Sequence, residues 1–220
     1  MADRIPTTTP IRPTRGRVTF DSEGTEGGRY HSRVLHVPGT TSGLTIGRGY
    51  DMGSKSAGQI ATDLIRAGVE VEKARTIAGA ANLRGAAAKK FIDDHHLETF
   101  EITPQAQKTL FESSYEAEAA SAKAVCERAS TRYGTCNWEA LHPAIKELVV
   151  DLKYRGDYTP RSRELIQQHI VANDLAGLSR VLTDRSKWST VPPDRFARRA
   201  AAARAALEEK QRKDRANGRR

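Results

Sequence analysis

Four side chains between residues 23 and 51 carry the groups that acid–base cleavage of a glycosidic bond requires. The stretch RVTFDSEGTEGGRYHSRVLHVPGTTSGLTIGRGYD sets a carboxyl group before glycine twice, at Glu23–Gly24 and Glu26–Gly27, and then closes on Thr45 and Asp51. One carboxylic acid can protonate the leaving oxygen, while a second carboxylate, with a hydroxyl beside it, orients or deprotonates a water. The glycines suit the same chemistry. In SGLTIGRGYD, the bare backbone at Gly43, Gly47 and Gly49 lets a sugar lie close to the chain. Whichever of Glu23 and Glu26 is not the acid reads as a solvated turn carboxylate.

The elements that must position these groups are mostly helical. Phe20, three residues before Glu23, can anchor the end of a helix in a core, and Gly24 can end it. Thr45 and Ile46 are β-branched between glycines, the pattern of a short strand interrupted where the chain bends. Downstream, SAGQIATDLIRAGV predicts a helix with Ile60, Leu64 and Ile65 on one face, Ser56 as its cap and Gly68 as its stop. Two short Ala-rich helices broken around Asn82–Gly85 follow. A long helix then starts with Thr103 as cap and Pro104 in its first turn, and it carries Leu110, Phe111 and Tyr115 at apolar spacings. The segments LHPAIKELVVDLKYRG, SRELIQQHIVAND, DLAGLSRVLTD and PPDRFARRAAAARAALEEKQRK are each helical in pattern. Only residues 29–51 look strand-like, so the predicted class is α+β, mainly α, in two lobes.

Composition limits the partners. With 38% hydrophobic and 29% charged residues in 220, the chain has the balance of a globular protein. No stretch of 18 apolar residues predicts a membrane span, and MADRIPTTTPIRPTRGR lacks the apolar core of a signal peptide. The net charge of +9 is concentrated at the ends: residues 1–17 and 208–220 each carry +3, which leaves +3 for the 190 residues between. Such ends suit loose attraction to polyanions or simple solvation better than a shaped nucleic-acid groove. Cys126 and Cys136, with no His or CxxC partner, do not form a zinc pattern. They either close a loop around Tyr133–Gly134 in an oxidising compartment or remain two thiols. His95 and His96 follow Asp93 and Asp94, and consecutive positions on a helix end point apart, so they read as a surface cluster rather than a metal site.

The order Glu–Gly, β stretch, Thr–Ile–Gly–x–Gly resembles the active-site region of phage-type lysozymes, and SGLTIGRGYDMG is similar to the pesticin-like muramidases, where the aspartate follows the TIGxGYD core. ITPQAQKTLFE, LVVDLKYRGDY and DRFARRAAAARAAL resemble the start of the large lobe, the central buried helix and the arginine-bearing last helix of lysozymes. The resemblance implies a lysozyme-like fold over residues 18–207, with a small N-terminal lobe (about 18–75) and a larger helical lobe (about 76–207) enclosing a cleft. It also implies a flexible linker at 1–17 and a basic tail at 208–220. The implied activity is hydrolysis of the β-1,4 bond between N-acetylmuramic acid and N-acetylglucosamine, with no metal or organic cofactor. Glu23 is the implied acid, with Glu26 as the alternative, Thr45 positions the water, and Asp51 is the base. Tyr30, Arg48 and Tyr50 are expected to contact substrate. Tyr154 and Arg155, with Asp157, either line the far side of the cleft or form salt bridges between lobes, and His31 and His36 either touch substrate or stand by. The expected partners are peptidoglycan strands and an immunity protein or delivery apparatus. The expected setting is a monomer acting outside the cell or in the periplasm, without nucleic acid. A glycosidase of chitin or chitosan and a non-catalytic basic binding protein are the competing readings.

Overall fold

Phe20, with no exposed surface, pins the first helix to the core through an edge-on contact with Phe111, the ring centroids 5.0 Å apart. The computed structural model describes residues 10–28, 31–128 and 130–217, apart from the side chains of residues 130 and 131. Its contacts divide the chain into two units, Met1–Ser114 and Tyr115–Arg220.

The first unit contains α1 (Arg17–Ser22), β1 (Thr45–Ile46), β2 (Tyr50–Asp51), α2 (Ala57–Arg66), α3 (Val71–Ala78), α4 (Gly85–Asp94) and the first part of α5 (Pro104–Arg128). Its two strands are antiparallel, with Thr45 opposite Asp51 and Ile46 opposite Tyr50. An isolated bridge extends the pairing from Thr45 to His36. Ile46, Tyr50 and Met52 enter one core with Ile60, Leu64, Ile77, Ala88 and Leu110. The expected lobe boundary near residue 75 therefore falls inside this unit, because α3 and α4 share their core with the strands.

Local signals set the helix limits. Ser56 accepts from the Gln59 N–H, and Gly68, at φ 92°, ends α2. Thr103 accepts from the Ala106 N–H ahead of Pro104. Ile65 is 39% exposed instead of facing the core with Ile60 and Leu64. Five residues rotate a helix by about 140° from Ile60, whereas four bring Leu64 nearly back into line.

The second unit continues α5 and adds α6 (Ser130–Tyr133), α7 (Pro143–Arg155), α8 (Pro160–Val171), α9 (Leu175–Thr183), a 3₁₀ turn (Arg185–Trp188) and α10 (Pro193–Asn217). Its core holds Ile145, Val149, Leu152, Ile166, Leu178 and Leu182. The architecture is thus mainly α with a small antiparallel β element. The basic C-terminal segment is not a loose tail over its described part. α10 runs to Asn217, supported by i,i+4 pairs from Lys210 to Asp214 and Lys213 to Glu209. Of the expected N-terminal linker, residues 1–9 lie outside the described residues. Residues 10–16 are irregular yet anchored, since Pro13 and Gly16 are buried and Arg12 pairs with Asp21. Among the described residues, no helix is long and apolar enough to cross a membrane.

Candidate functional site

Glu23 caps the C-terminal end of α1, where its N–H reaches the carbonyls of Thr19 (3.0 Å) and Phe20 (3.4 Å). The side chain is half-buried. Phe20 anchors the helix and the chain turns directly after Glu23, as the spacing predicts.

Thr45 and Asp51 face one another across the β1–β2 pair, a register that sets Cβ atoms about 4.5–5.5 Å apart on one side of the ribbon. The tight connection Gly47–Arg48–Gly49 is possible because Gly47 and Gly49 take φ of 63° and 82°. Asp51 is held by two backbone amides: Gly43 N–H donates to Oδ2 (3.2 Å) and Gly53 N–H to Oδ1 (2.6 Å). Side chains on either glycine would collide with the other and with the Asp51 carboxylate, so both amides approach only because those side chains are missing. Thr45 is buried, and its hydroxyl donates to the Gly43 carbonyl at 3.1 Å. An oxygen that donates its proton there retains lone pairs for a water, as does each Asp51 oxygen.

Glu26 is a different kind of carboxylate. Arg33 Nε donates to Oε2 (2.9 Å), while Gln107 Nε2 (2.6 Å) and Arg48 Nη2 (3.2 Å) donate to Oε1. Burial pushes its pKa up, but the hydrogen bonds from Gln107, Arg33 and Arg48 outweigh that effect and hold it below the ordinary 4.5. Three side chains thus favour the charged form of Glu26, the alternative acid, and engage both of its oxygens.

Arg48 points inward instead of toward a ligand. Its Nη1 donates to the carbonyls of Phe20 (2.6 Å) and Gly24 (2.7 Å), and its guanidinium carbon sits 4.1 Å from the Phe20 ring centroid. It satisfies carbonyls at the end of α1 and bolts that end to the β1–β2 connection. Glu23 and the Thr45–Asp51 pair are therefore carried by two elements joined through one guanidinium. Tyr50 is also corrected as a substrate contact. It is 1% exposed, its hydroxyl donates to Asp63 Oδ2 at 2.8 Å, and burial together with that bond raises its pKa. Tyr30 lies outside the described residues.

His31 accepts from the Gly27 N–H at Nδ1 (2.7 Å), so Nε2 carries the proton toward Glu101 Oε1 (2.9 Å). His36 Nδ1 lies 2.8 Å from the Val34 carbonyl. Both histidines are thus engaged in holding the loop. The sequence reading missed Arg33 and Gln107. Gln107 had a usable signal, because it lies three and four residues before Leu110 and Phe111 and so shares their buried face.

In the second unit, Arg155 pairs with Asp157, which also receives Arg199 Nη2 (3.0 Å). Asp151, fully buried, takes Arg195 Nη2 (2.7 Å) and Arg199 Nε (2.6 Å). The salt bridging expected of Arg155 and Asp157 thus occurs within this unit. Tyr154 is half-buried beside them on α7. Cys126 and Cys136 are free and buried, and burial first, then the neighbouring Cys126, pushes the Cys136 thiol up to about 12. Among the described residues, no three His, Cys, Asp or Glu side chains converge as a metal site requires.

Residues 16–200 match the family described as a domain of unknown function, DUF8812, and the chain belongs to that family. No curated protein matches it.

Proposed function

We propose that this member of the family is a peptidoglycan hydrolase with a lysozyme-like fold, cutting the β-1,4 bond between N-acetylmuramic acid and N-acetylglucosamine. The observation that carries the reading is the joint held by Arg48, which ties the helix end bearing Glu23 to the hairpin bearing Thr45 and Asp51. Glu23 protonates the leaving oxygen. Asp51 and the Thr45 hydroxyl hold the attacking water. Neither step draws on a metal or organic cofactor.

Asp51 suits its role because two neutral amides fix it without cancelling its charge, so it can attract both a water proton and the positive character of an oxocarbenium-like transition state. Water held for direct attack implies inversion at the anomeric carbon, with carboxyl groups about 6.5–9.5 Å apart in the productive complex. The setting is the bacterial wall, outside the cell or in the periplasm, with the chain acting as a monomer. An immunity protein or delivery apparatus is the partner such a domain requires.

The deciding experiment measures reducing ends released from purified peptidoglycan. The wild-type chain should release them, and Glu23→Gln, which keeps shape but has no proton to transfer, should lose about 10²-fold or more in rate. Wild-type activity with Glu23→Gln unimpaired removes Glu23 from the mechanism. No release from any wall preparation removes the hydrolase reading.

A further inference from the structure

A cavity of about 470 Å³ opens in the second unit between the N-terminal turn of α8 and the 3₁₀ turn, and it contains none of the residues assigned above to hydrolysis. The volume is that of a small-molecule site. Trp188, 4% exposed, lies in one wall with its indole N–H already committed to the Val181 carbonyl at 2.9 Å, so the little surface it presents is apolar.

The polar groups around the cavity divide into those already satisfied and those with capacity left. Its two acids are neutralised by cations: Asp157 by Arg155 and Arg199, and Glu164 by Arg132 at 3.1 Å. Two of its hydroxyls are committed, Ser162 to the Asp157 carbonyl (2.5 Å) and Ser186 to Asp184 Oδ1 (2.6 Å). By contrast, Arg161, Ser189 and Thr190 are exposed, and among the described residues the Arg161 guanidinium and the hydroxyls of Ser189 and Thr190 have no partner, although the Ser189 carbonyl accepts from Arg185 Nη2 at 3.4 Å. Lys187 is held only by an exposed pair with Asp184 at 3.5 Å.

Behind the wall lies a buried cation. Arg199, 1% exposed, sits with its guanidinium carbon 5.8 Å from the Trp188 ring centroid, and its Nη1 is buried without a hydrogen-bond partner. The cavity's acids are thus both paired with cations, while Arg161 in its wall has no carboxylate against it among the described residues.

We propose that this cavity binds a small hydroxylated oxyanion, a phosphate or carboxylate carried on a sugar-sized polyol. Arg161 and Lys187 take the charge, Ser189 and Thr190 meet the hydroxyls, and Trp188 backs the carbon skeleton. The inference is independent of the hydrolytic reading, since binding is read without turnover.

The test is titration calorimetry on the full chain at low salt with glucose 6-phosphate, glucuronate, glucose and inorganic phosphate as separate probes. Glucose 6-phosphate and glucuronate should saturate one site at least about tenfold more tightly than glucose, as a charge-assisted hydrogen bond implies. Arg161→Gln should weaken both by about tenfold without changing the melting temperature, because the side chain is exposed and unpartnered. Thr190→Val should weaken the sugar anions while leaving inorganic phosphate unchanged. Equal affinity for glucose, or an Arg161→Gln variant that binds the anions normally, overturns the oxyanion assignment. Inorganic phosphate binding as tightly as glucose 6-phosphate overturns the hydroxylated-ligand half of it.

Discussion

Glu26 and Asp51 lie in the same unit, and each carboxylate is held out of bulk water in an opposite way. Around Glu26, two arginines and a glutamine meet the charge directly. Around Asp51, two glycine amides meet it with dipoles. The first arrangement neutralises the carboxylate and makes it part of the framework. The second fixes a carboxylate with neutral donors, so that no cation in direct contact offsets its charge among the described residues. Two acids from one glycine-rich stretch thus separate into a brace and a candidate reagent.

Substitution should separate them further, beginning with the largest effect. Asp51→Asn keeps the side-chain shape but removes the charge, so turnover should fall by about 10³-fold, and because its NH2 group would face one of the two glycine N–H donors, stability should fall by about 1–3 kcal/mol as well. Thr45→Ala should cost less, on the order of 10–10³-fold, and adding it to Asp51→Asn should hardly worsen the rate, since both act on one water. Fully additive losses would falsify that shared role.

Glu26→Ala should show the opposite profile. It takes the Glu26 carboxylate from buried Arg48 and leaves Arg33 to Glu101 (2.7 Å), at a cost of about 3–5 kcal/mol in urea unfolding. A Glu26→Ala chain as stable as wild type would mean that the cluster does not brace the fold.

Gly43→Ala should fall between the two, costing about 1–3 kcal/mol of stability and also lowering turnover, because the new methyl group presses on Gly53 and the Asp51 carboxylate. If stability drops and the residual rate per folded molecule is unchanged, the glycine clamp does not set the position of Asp51.

The smallest effect is a pH dependence. The Glu26 pKa is depressed in the folded state, so its contribution to stability is present above the ordinary 4.5 and is lost as pH falls through the lowered folded value. Stability of the wild-type chain should therefore decline in acid below about 4.5, and Glu26→Gln should flatten that part of the curve. A parallel decline in both chains would assign the acid sensitivity to other carboxylates.

Much of the helical framework was legible because its signals are local. Ser56, Thr103, Pro104 and Pro193 act within one turn of where they stand, and the Asn82–Gly85 break carries its own signal in two residues at positive φ, Asn82 and Gly85. The helical continuation to Asn217 was also present in its Glu, Lys and Arg spacing, although net charge alone suggested a loose end. Candidate substrate contacts were harder to read. Arg48 and Tyr50 lie in a glycine-rich turn, where a polar side chain would ordinarily face water, and the partners that draw them inward lie far off in the chain or in another element: Phe20, Gly24 and Glu26 for Arg48, Asp63 for Tyr50.

By itself, the sequence determined the mainly α class, the helix limits and the chemical types gathered at residues 23–51, since propensity, capping and hydrophobic spacing act over a few residues. Tertiary structure alone decided which carboxylate is neutralised, because a pKa depends on what the fold brings within hydrogen-bond reach. Arg33, Arg48 and Gln107 reach Glu26 from 7, 22 and 81 residues away.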